Sequence, residues 1–348
     1  MQPNAVTVDR QPIANAAKPR RIAALDFTKG LLVLFMVFYH WANYFIGSEW
    51  PYYRYLRFLT PSFIFITGFM VSHIYLSKYD VAAPQLLKRL VVRGLKLVGI
   101  FLVLNLGRDC LLPLLTKGKA DFSLLQPQNL QAIFISGEST SKPVSFYILV
   151  PIALLLMLSG ILMIPQRRFK YSFHTFCLFL FALLGALELA GVKNQNLEII
   201  SIGMLGVLAG FTRIETINGV VRHPFLLALA YLAYTIAIAI WNVPYPLEIV
   251  GTCLTVAIIY LLGTVDWKFS STQDLVILLG KYSLFGYIAQ IVILQILAAG
   301  FHRFVPKVAV LPTSFVAAFA LTVMSIQLLD RARVRASSVN WAYKAVFN

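Results

Sequence analysis

The chain has 348 residues, of which 59% are hydrophobic and 13% charged, and its mean hydropathy is +0.76; a soluble globular domain is nearer half apolar and a quarter charged. The apolar residues come in continuous runs rather than amphipathic patterns, which excludes one large soluble core and points to lipid as the solvent. The net charge of +16 does not read as a nucleic-acid interface, because such a protein gathers its Lys and Arg into one patch or stripe, whereas here they sit in short clusters between apolar runs, as in loops held against an anionic leaflet.

In chain order, residues 1–28 form a basic tail with Pro and Asn and no signal-peptide h-region, so the first span is expected to serve as its own insertion signal. A helix crossing about 30 Å of hydrocarbon needs roughly 20 apolar residues. Candidate spans lie at 30–47, 58–77, 90–115, 144–164, 171–191, 196–213, 224–242, 246–265, 275–299 and 309–329. Gly203, Gly206 and Gly210 interrupt the sixth, and Arg213 ends it. With the N-terminus inside, 21 of the 30 Lys and Arg fall on the cytoplasmic side, including Lys88, Arg89, Arg93 and Lys96 and the run Arg331, Arg333, Arg335. The expected fold is therefore an all-α polytopic membrane bundle of about ten helices with both termini in the cytoplasm. Its transmembrane domain covers 29–330 and its C-terminal tail 331–348. The longest extramembrane segment, 116–143, lies on the outer side and carries Glu138; a polar loop of that length is either a lid over a site or a solvated connection.

Ionisable groups inside a span are costly and are functional candidates by default. His40 stands in the middle of LLVLFMVFYHWANYFIG, and an imidazole can take and return a proton near neutral pH, as general-base attack by a hydroxyl or amine requires. The bland alternative is a core His bonded to a neighbouring helix. Lys29 precedes it by eleven residues, almost three helical turns, so the two share one face about 16 Å apart. Asp26 fits a helix N-terminus, where its carboxylate would cap. Arg89, Arg93 and Lys96 share a face at the opening of the third span; they can hold phosphates of an anionic ligand, or simply snorkel to lipid head groups. Trp50, Tyr52, Tyr53, Arg54 and Arg57 form an aromatic and basic cluster on the side where positive charge is scarce, suited to an interfacial belt or to the wall of an acceptor site. Arg108 and Asp109 most simply neutralise each other, and His73 reads as a packing His. Cys110, Cys177 and Cys253 lie in apolar runs at wide spacing and read as small buried hydrophobes. The chain has no Walker loop, dinucleotide Gly-rich turn, His-Glu-x-x-His, Cys-x-x-Cys or Gly-x-Ser-x-Gly elbow, so no metal or nucleotide cofactor is expected.

Three stretches resemble the transmembrane acyltransferases: the acyltransferase family 3 group, the glucan succinyl transferases and the relatives of heparan glucosaminide N-acetyltransferase. RIAALDFTKGLLVLFMVFYHW is similar to the family opening, in which Leu-Asp and a basic-Gly pair lead into an apolar helix ending at His. FLTPSFIFITGFMVSHIYLSKY resembles the Pro-x-Phe-x-Phe-x-x-Gly helix of the heparan acetyltransferase relatives, and LGKYSLFGYIAQIVILQIL resembles the late Leu-Gly-x-x-Ser-Leu-x-x-Tyr helix. The resemblance implies transfer of an acyl group, acetyl or succinyl, from cytoplasmic acyl-CoA to a hydroxyl or amine of a glycan acceptor at the outer face of the plasma membrane. His40 would be the base; Lys29, Arg89 and Arg93 would hold the donor; Asn43, Arg54, Arg57 and Glu138 would orient the acceptor. Lys29 stands where the family usually has Arg, and Gln290 stands near the place where a His often follows the late Tyr. A different class, a transporter or flippase of a small anion or lipid-linked glycan, draws on the same midplane polar residues and on Gly-interrupted helices, although matching broken helices in two halves are not evident.

Overall fold

The structure, a computed structural model, describes residues 22–47, 50–76, 84–116, 121–138, 144–241, 243–265, 270–304 and 307–347. Most of the basic N-terminal tail, and Lys78, Lys117, Lys119, Lys142 and Lys268, lie outside the described residues. The described residues are helices, turns and connections, with no strand among them. Their helices are α1 (Ala23–Phe45), α2 (Leu59–Met70), α3 (Pro84–Thr116), α4 (Pro127–Ile135), α5 (Leu149–Gln166), α6 (Ser172–Leu189), α7 (Gln195–Gly210), α8 (Ile214–Val221), α9 (Pro224–Trp241), α10 (Tyr245–Thr264), α11 (Ser270–Lys281), α12 (Ser283–Phe304), α13 (Lys307–Arg335) and α14 (Ser337–Phe347). Among the described residues nine helical segments are long and apolar enough to cross a membrane, and α7 with α8, bent by 106°, makes a tenth if the broken pair is one span. Helix is the form such a chain must take in lipid, where every backbone N–H and C=O needs a partner inside its own segment.

Helix α1 runs through the middle of the bundle and packs on α2, α10, α11, α12 and α13. Around it, α2 lies on α7 and α3 on α5, with α6 and α9 towards the outside. The outward faces stay apolar: on α9, Phe225, Leu229, Leu232 and Ile236 are exposed, as lipid contact allows. Without a hydrophobic drive between helices in lipid, close packing depends on small residues that let backbones meet. At the Ala23 end of the bundle, a Cβ on Gly30 would land on the carbonyl oxygen of Val276, and one on Gly280 on the carbonyl oxygen of Asp26. Helices α1 and α11 thus touch backbone to backbone. Gly68 meets Gly203 and Gly206 meets Phe65 in the same way between α2 and α7.

Three expectations change. The apolar run 275–299 is not one helix: α11 ends at Lys281 and α12 begins at Ser283, and only the latter is long enough to span. Hydropathy does not register the break, which follows from the seating of Gly280 against α1 and from Tyr282, whose hydroxyl donates to Asp330 Oδ1 on α13 at 2.6 Å. Burial, then the bond to Asp330, pushes that hydroxyl up to about 12, so it remains a donor. Asp26 does not cap α1: the N-cap position is Ile22, without a side-chain cap bond, and Asp26 is buried beside Lys29. Of the cysteines only Cys177 is buried; Cys110 and Cys253 are exposed on helix surfaces, where lipid serves an apolar residue as well as a core does.

The backbone contact between α1 and α11 predicts an asymmetry among glycines. Gly280→Ala should destabilise by about 1–3 kcal/mol through overpacking. Gly99→Ala in α3, where a Cβ meets nothing within 4 Å, should be neutral or stabilising by about 0.5–1 kcal/mol. Thermal unfolding in detergent distinguishes the two, and equal effects would show that the α1–α11 contact is not tight.

Candidate active site

A cavity of about 910 Å³ lies at the Phe45 end of the bundle and falls within the size range of small-molecule sites. Five regions converge on it: the second half of α1, the turn into α2, the end of α3, Glu138 with the segment 144–148, and the first turns of α7 and α10 together with the middle of α12. His40 and Asn43 reach it from α1, Arg57 from the turn after the short 3-10 segment Pro51–Leu56, and Glu138 from the segment after α4. His40 is half-buried in the wall, its ring centroid 5.1 Å from Tyr39 and 6.2 Å from Tyr287. No hydrogen bond from His40 to another described residue is present, so its ring nitrogens are directed by the cavity and not by a carboxylate partner.

The cavity is polar. Its cations are Arg57, Arg108 and Lys193, and its carboxylates Asp109, Glu138, Glu198 and Glu248. Arg108 and Asp109 pair at 2.8 Å, as their adjacency suggested, and Arg108 also donates to Ser145 Oγ at 2.9 Å. Gln295 on α12 donates to the same Ser145 and to the Tyr44 hydroxyl, which ties α1, α3, α12 and the segment before α5 into one rim. Glu198 and Glu248 were not singled out in the sequence. Each lies in the first turn of an apolar helix, where an acidic residue reads as a complement to the helix dipole.

The loop over this cavity is anchored. Asn196 Nδ2 donates to the Ile133 and Phe134 carbonyls at 2.8 and 3.0 Å, and its Oδ1 accepts from the Tyr147 hydroxyl at 2.6 Å. Burial, with the Glu198 and Glu138 carboxylates nearby, holds Tyr147 well above the usual phenol range, so it stays a donor. In its described part, then, the long polar loop is an element bonded to the bundle that brings Glu138 to the cavity, more than a solvated connection.

A second cavity, about 180 Å³, lies towards the Ala23 end. Lys29 and Arg93 line it together with apolar groups of α2, α5 and α12, among them Phe63, Thr67, Leu156 and Leu284. Arg89 lies one turn back on the exposed surface of α3 and is not in the lining. Lys29 is ion-paired with Asp26 at 2.6 Å, so a buried charge is compensated within its own helix turn. Lys96 turns instead to the Ala345 carbonyl of α14 at 2.8 Å.

Tyr287 and Ile148 line both cavities. Tyr287 is buried and meets Phe146 edge to face at 6.3 Å. Phe146 is the only described residue other than Gly with positive φ, at 59°, and is itself 2% exposed; a bulky residue in that conformation is strained. The wall between the chambers is therefore a single layer of side chains beside a strained turn. Arg54 lies outside the large cavity, in an adjoining groove that shares Tyr53 and Arg57 with it. Gln290 is fully buried, lines neither chamber, and has no hydrogen-bond partner for either amide atom among the described residues. His73 stacks on Phe69 at 5.1 Å, as a packing residue does. No group of three or more His, Cys, Asp or Glu suited to a metal occurs among the described residues.

Asn196→Leu should release the loop. It removes three hydrogen bonds and strands buried partners, a loss of about 1–3 kcal/mol, so amide exchange over 127–138 should speed up about tenfold or more. Unchanged exchange there would show that the loop is held by other contacts.

The acyltransferase domain family model matches residues 22–329. No curated protein and no solved structure matches the chain. With the match running through the described membrane helices, the chain belongs to this acyltransferase family and is a multi-pass membrane acyltransferase.

Proposed function

We propose that this acyltransferase carries an acetyl or succinyl group from acyl-CoA at the cytoplasmic face to a hydroxyl or amine of a sugar acceptor at the outer face of the plasma membrane, with both termini cytoplasmic. The observation that carries this reading is the pair of back-to-back chambers: one lined by Lys29 and Arg93, the other by His40, with Tyr287 and Ile148 common to both. Transfer between an anionic donor and a polar acceptor on opposite sides needs such a division. The clustering of Lys and Arg at the Ala23 end supports a cytoplasmic placement for the donor.

In this scheme Arg93, with Arg89 at the surface beyond it, holds phosphates of the donor, while Lys29, already balanced by Asp26, contributes a weaker share. The acyl end points along the apolar lining towards Tyr287. His40 takes the proton of the acceptor hydroxyl or amine as its oxygen or nitrogen attacks the thioester carbonyl; the C–S bond breaks and the coenzyme A thiolate leaves to the cytoplasmic side. Asn43, Arg57 and Glu138, joined by Glu198 and Glu248, present many donors and acceptors to a polyhydroxyl acceptor. The excess of carboxylates over cations in the chamber favours a neutral or amino sugar over a polyanion, because an unmatched buried charge is costly. The transport alternative would use the α7–α8 break, but that break borders an apolar pocket with Thr212, Ile214 and Thr216 and neither of the two chambers.

The test is thioester loss from radiolabelled acetyl-CoA and succinyl-CoA by purified protein in lipid nanodiscs. Wild type should consume one of them, and His40→Ala should fall by about 10²–10⁴-fold, the usual contribution of a general base. Full transfer by His40→Ala would overturn the assignment; no loss in either protein, with no coenzyme A binding, would favour transport. Separately, Arg93→Gln should raise KM for the donor with little change in kcat, the pattern of lost uniform binding; a fall in kcat alone would remove Arg93 from donor binding.

A further inference from the structure

The groove beside the His40 chamber has its own chemistry. Trp50, Tyr53, Arg54, Arg57, Ile240 and Trp241 form its walls, at the junction between the 3-10 turn before α2 and the end of α9. Tyr53 and Arg57 belong to the chamber wall as well, so the two spaces adjoin. Ile240 and Trp241 are 66% and 69% exposed, and they continue the apolar outer face of α9. The groove therefore opens sideways, towards lipid, at the level where paired Trp residues mark a membrane interface.

Among the described residues its lining holds two arginines and no carboxylate, in contrast to the chamber, where carboxylates outnumber cations. Each arginine spends one long bond on a backbone carbonyl: Arg54 Nη1 donates to Ala239 O in the last turn of α9 at 3.3 Å, and Arg57 Nη1 to Val243 O in the connection to α10 at 3.4 Å. A guanidinium has five N–H donors in a planar fork, and Arg54 Nε is buried with no hydrogen-bond partner. These carbonyl contacts engage one donor of each side chain. Arg57 also faces the chamber carboxylates Glu198 and Glu248, so Arg54 is the guanidinium the groove holds most to itself; two such forks beside exposed aromatics suit a phosphate at the membrane surface.

We propose that this groove is a lateral portal for an acceptor anchored in the bilayer through a phosphate-linked lipid. Arg54 and Arg57 hold the phosphate, Trp50 and Trp241 flank the lipid-proximal part, and the sugar reaches past Tyr53 to His40. This rests on the reading of the His40 chamber as the acceptor site and specifies the class of acceptor: a lipid-linked sugar in place of a water-soluble one.

Binding is tested with chemistry switched off. His40→Ala protein in phosphatidylcholine nanodiscs is titrated with a short-chain polyprenyl-phosphate monosaccharide, and bound probe is counted by native mass spectrometry. Adding Arg54→Gln should weaken binding about tenfold, the loss of one charge-assisted hydrogen bond; Trp241→Ala should weaken it too, and Arg54→Lys should restore part of it. Excess phosphatidylglycerol, or the same sugar as a free methyl glycoside, should not displace the probe. Equal binding by all variants would overturn the portal, as would ready displacement by phosphatidylglycerol, which would mean a bulk head-group contact. The enzymatic reading fails separately: if wild type transfers acyl groups to the free glycoside as well as to the lipid-linked one, acyl transfer stands and the portal falls; if the probe binds as expected while no thioester is consumed, the portal stands and the transferase assignment falls.

Discussion

Everything at the candidate site depends on how closely α1 can lie against α11. Gly30 and Gly280 each face a carbonyl oxygen of the opposite helix with no room for a Cβ, and that contact fixes both the depth and the rotation of α1. A helix held by backbone contact cannot roll, so the face carrying Lys29 and His40 is committed to the interior. In lipid, where apolar side chains gain nothing by turning away from solvent, close van der Waals fit of this kind is the main source of order between helices. The same device joins α2 to α7 through Gly68, Gly203 and Gly206, so the walls opposite His40 are held by an equivalent contact.

This contact also gives physical content to the short motifs. The Lys-Gly pair of the first helix supplies a cavity cation and the glycine that seats it. The late Leu-Gly-x-x-Ser-Leu-x-x-Tyr stretch supplies Gly280 for that seat, Ser283 and Leu284 for the lining of the smaller cavity, and Tyr287 for the partition. The Pro-x-Phe-x-Phe-x-x-Gly helix contributes Phe63 and Thr67 to the same lining and Gly68 to the packing of α2 on α7. Residues far apart in the chain meet here, where each helps to build one pair of chambers.

The partition is where function and stability pull apart. Tyr287 is nearly inaccessible, and the strained Phe146 stands against it. Strain of that kind persists only where the surroundings over-determine it. Here they include the rim network through Ser145, which accepts from Arg108 and Gln295. The rim and the strained turn are thus consecutive residues of one segment, which links the arrangement of the His40 chamber to the wall between the two chambers.

By itself the sequence determined the class of fold and the best catalytic candidate. Continuous apolar runs are a one-dimensional property set by the thickness of a bilayer, and a His in the middle of such a run is conspicuous without coordinates. Helical periodicity also placed Lys29 and His40 on one face. Only the tertiary structure decided what these groups meet. Lys29 is balanced by Asp26, Arg93 but not Arg89 reaches the smaller cavity, and Arg54 belongs to a groove beside the His40 chamber. Glu198 and Glu248, each reading as an ordinary first-turn acid, become cavity walls because α7 and α10 begin at the same level as the end of α1. The break at Tyr282 was hidden for a related reason: hydropathy is a sum over a segment, whereas a backbone contact at Gly280 and a hydrogen bond to Asp330 depend on which helices lie alongside, and that is fixed by the packing of the whole bundle.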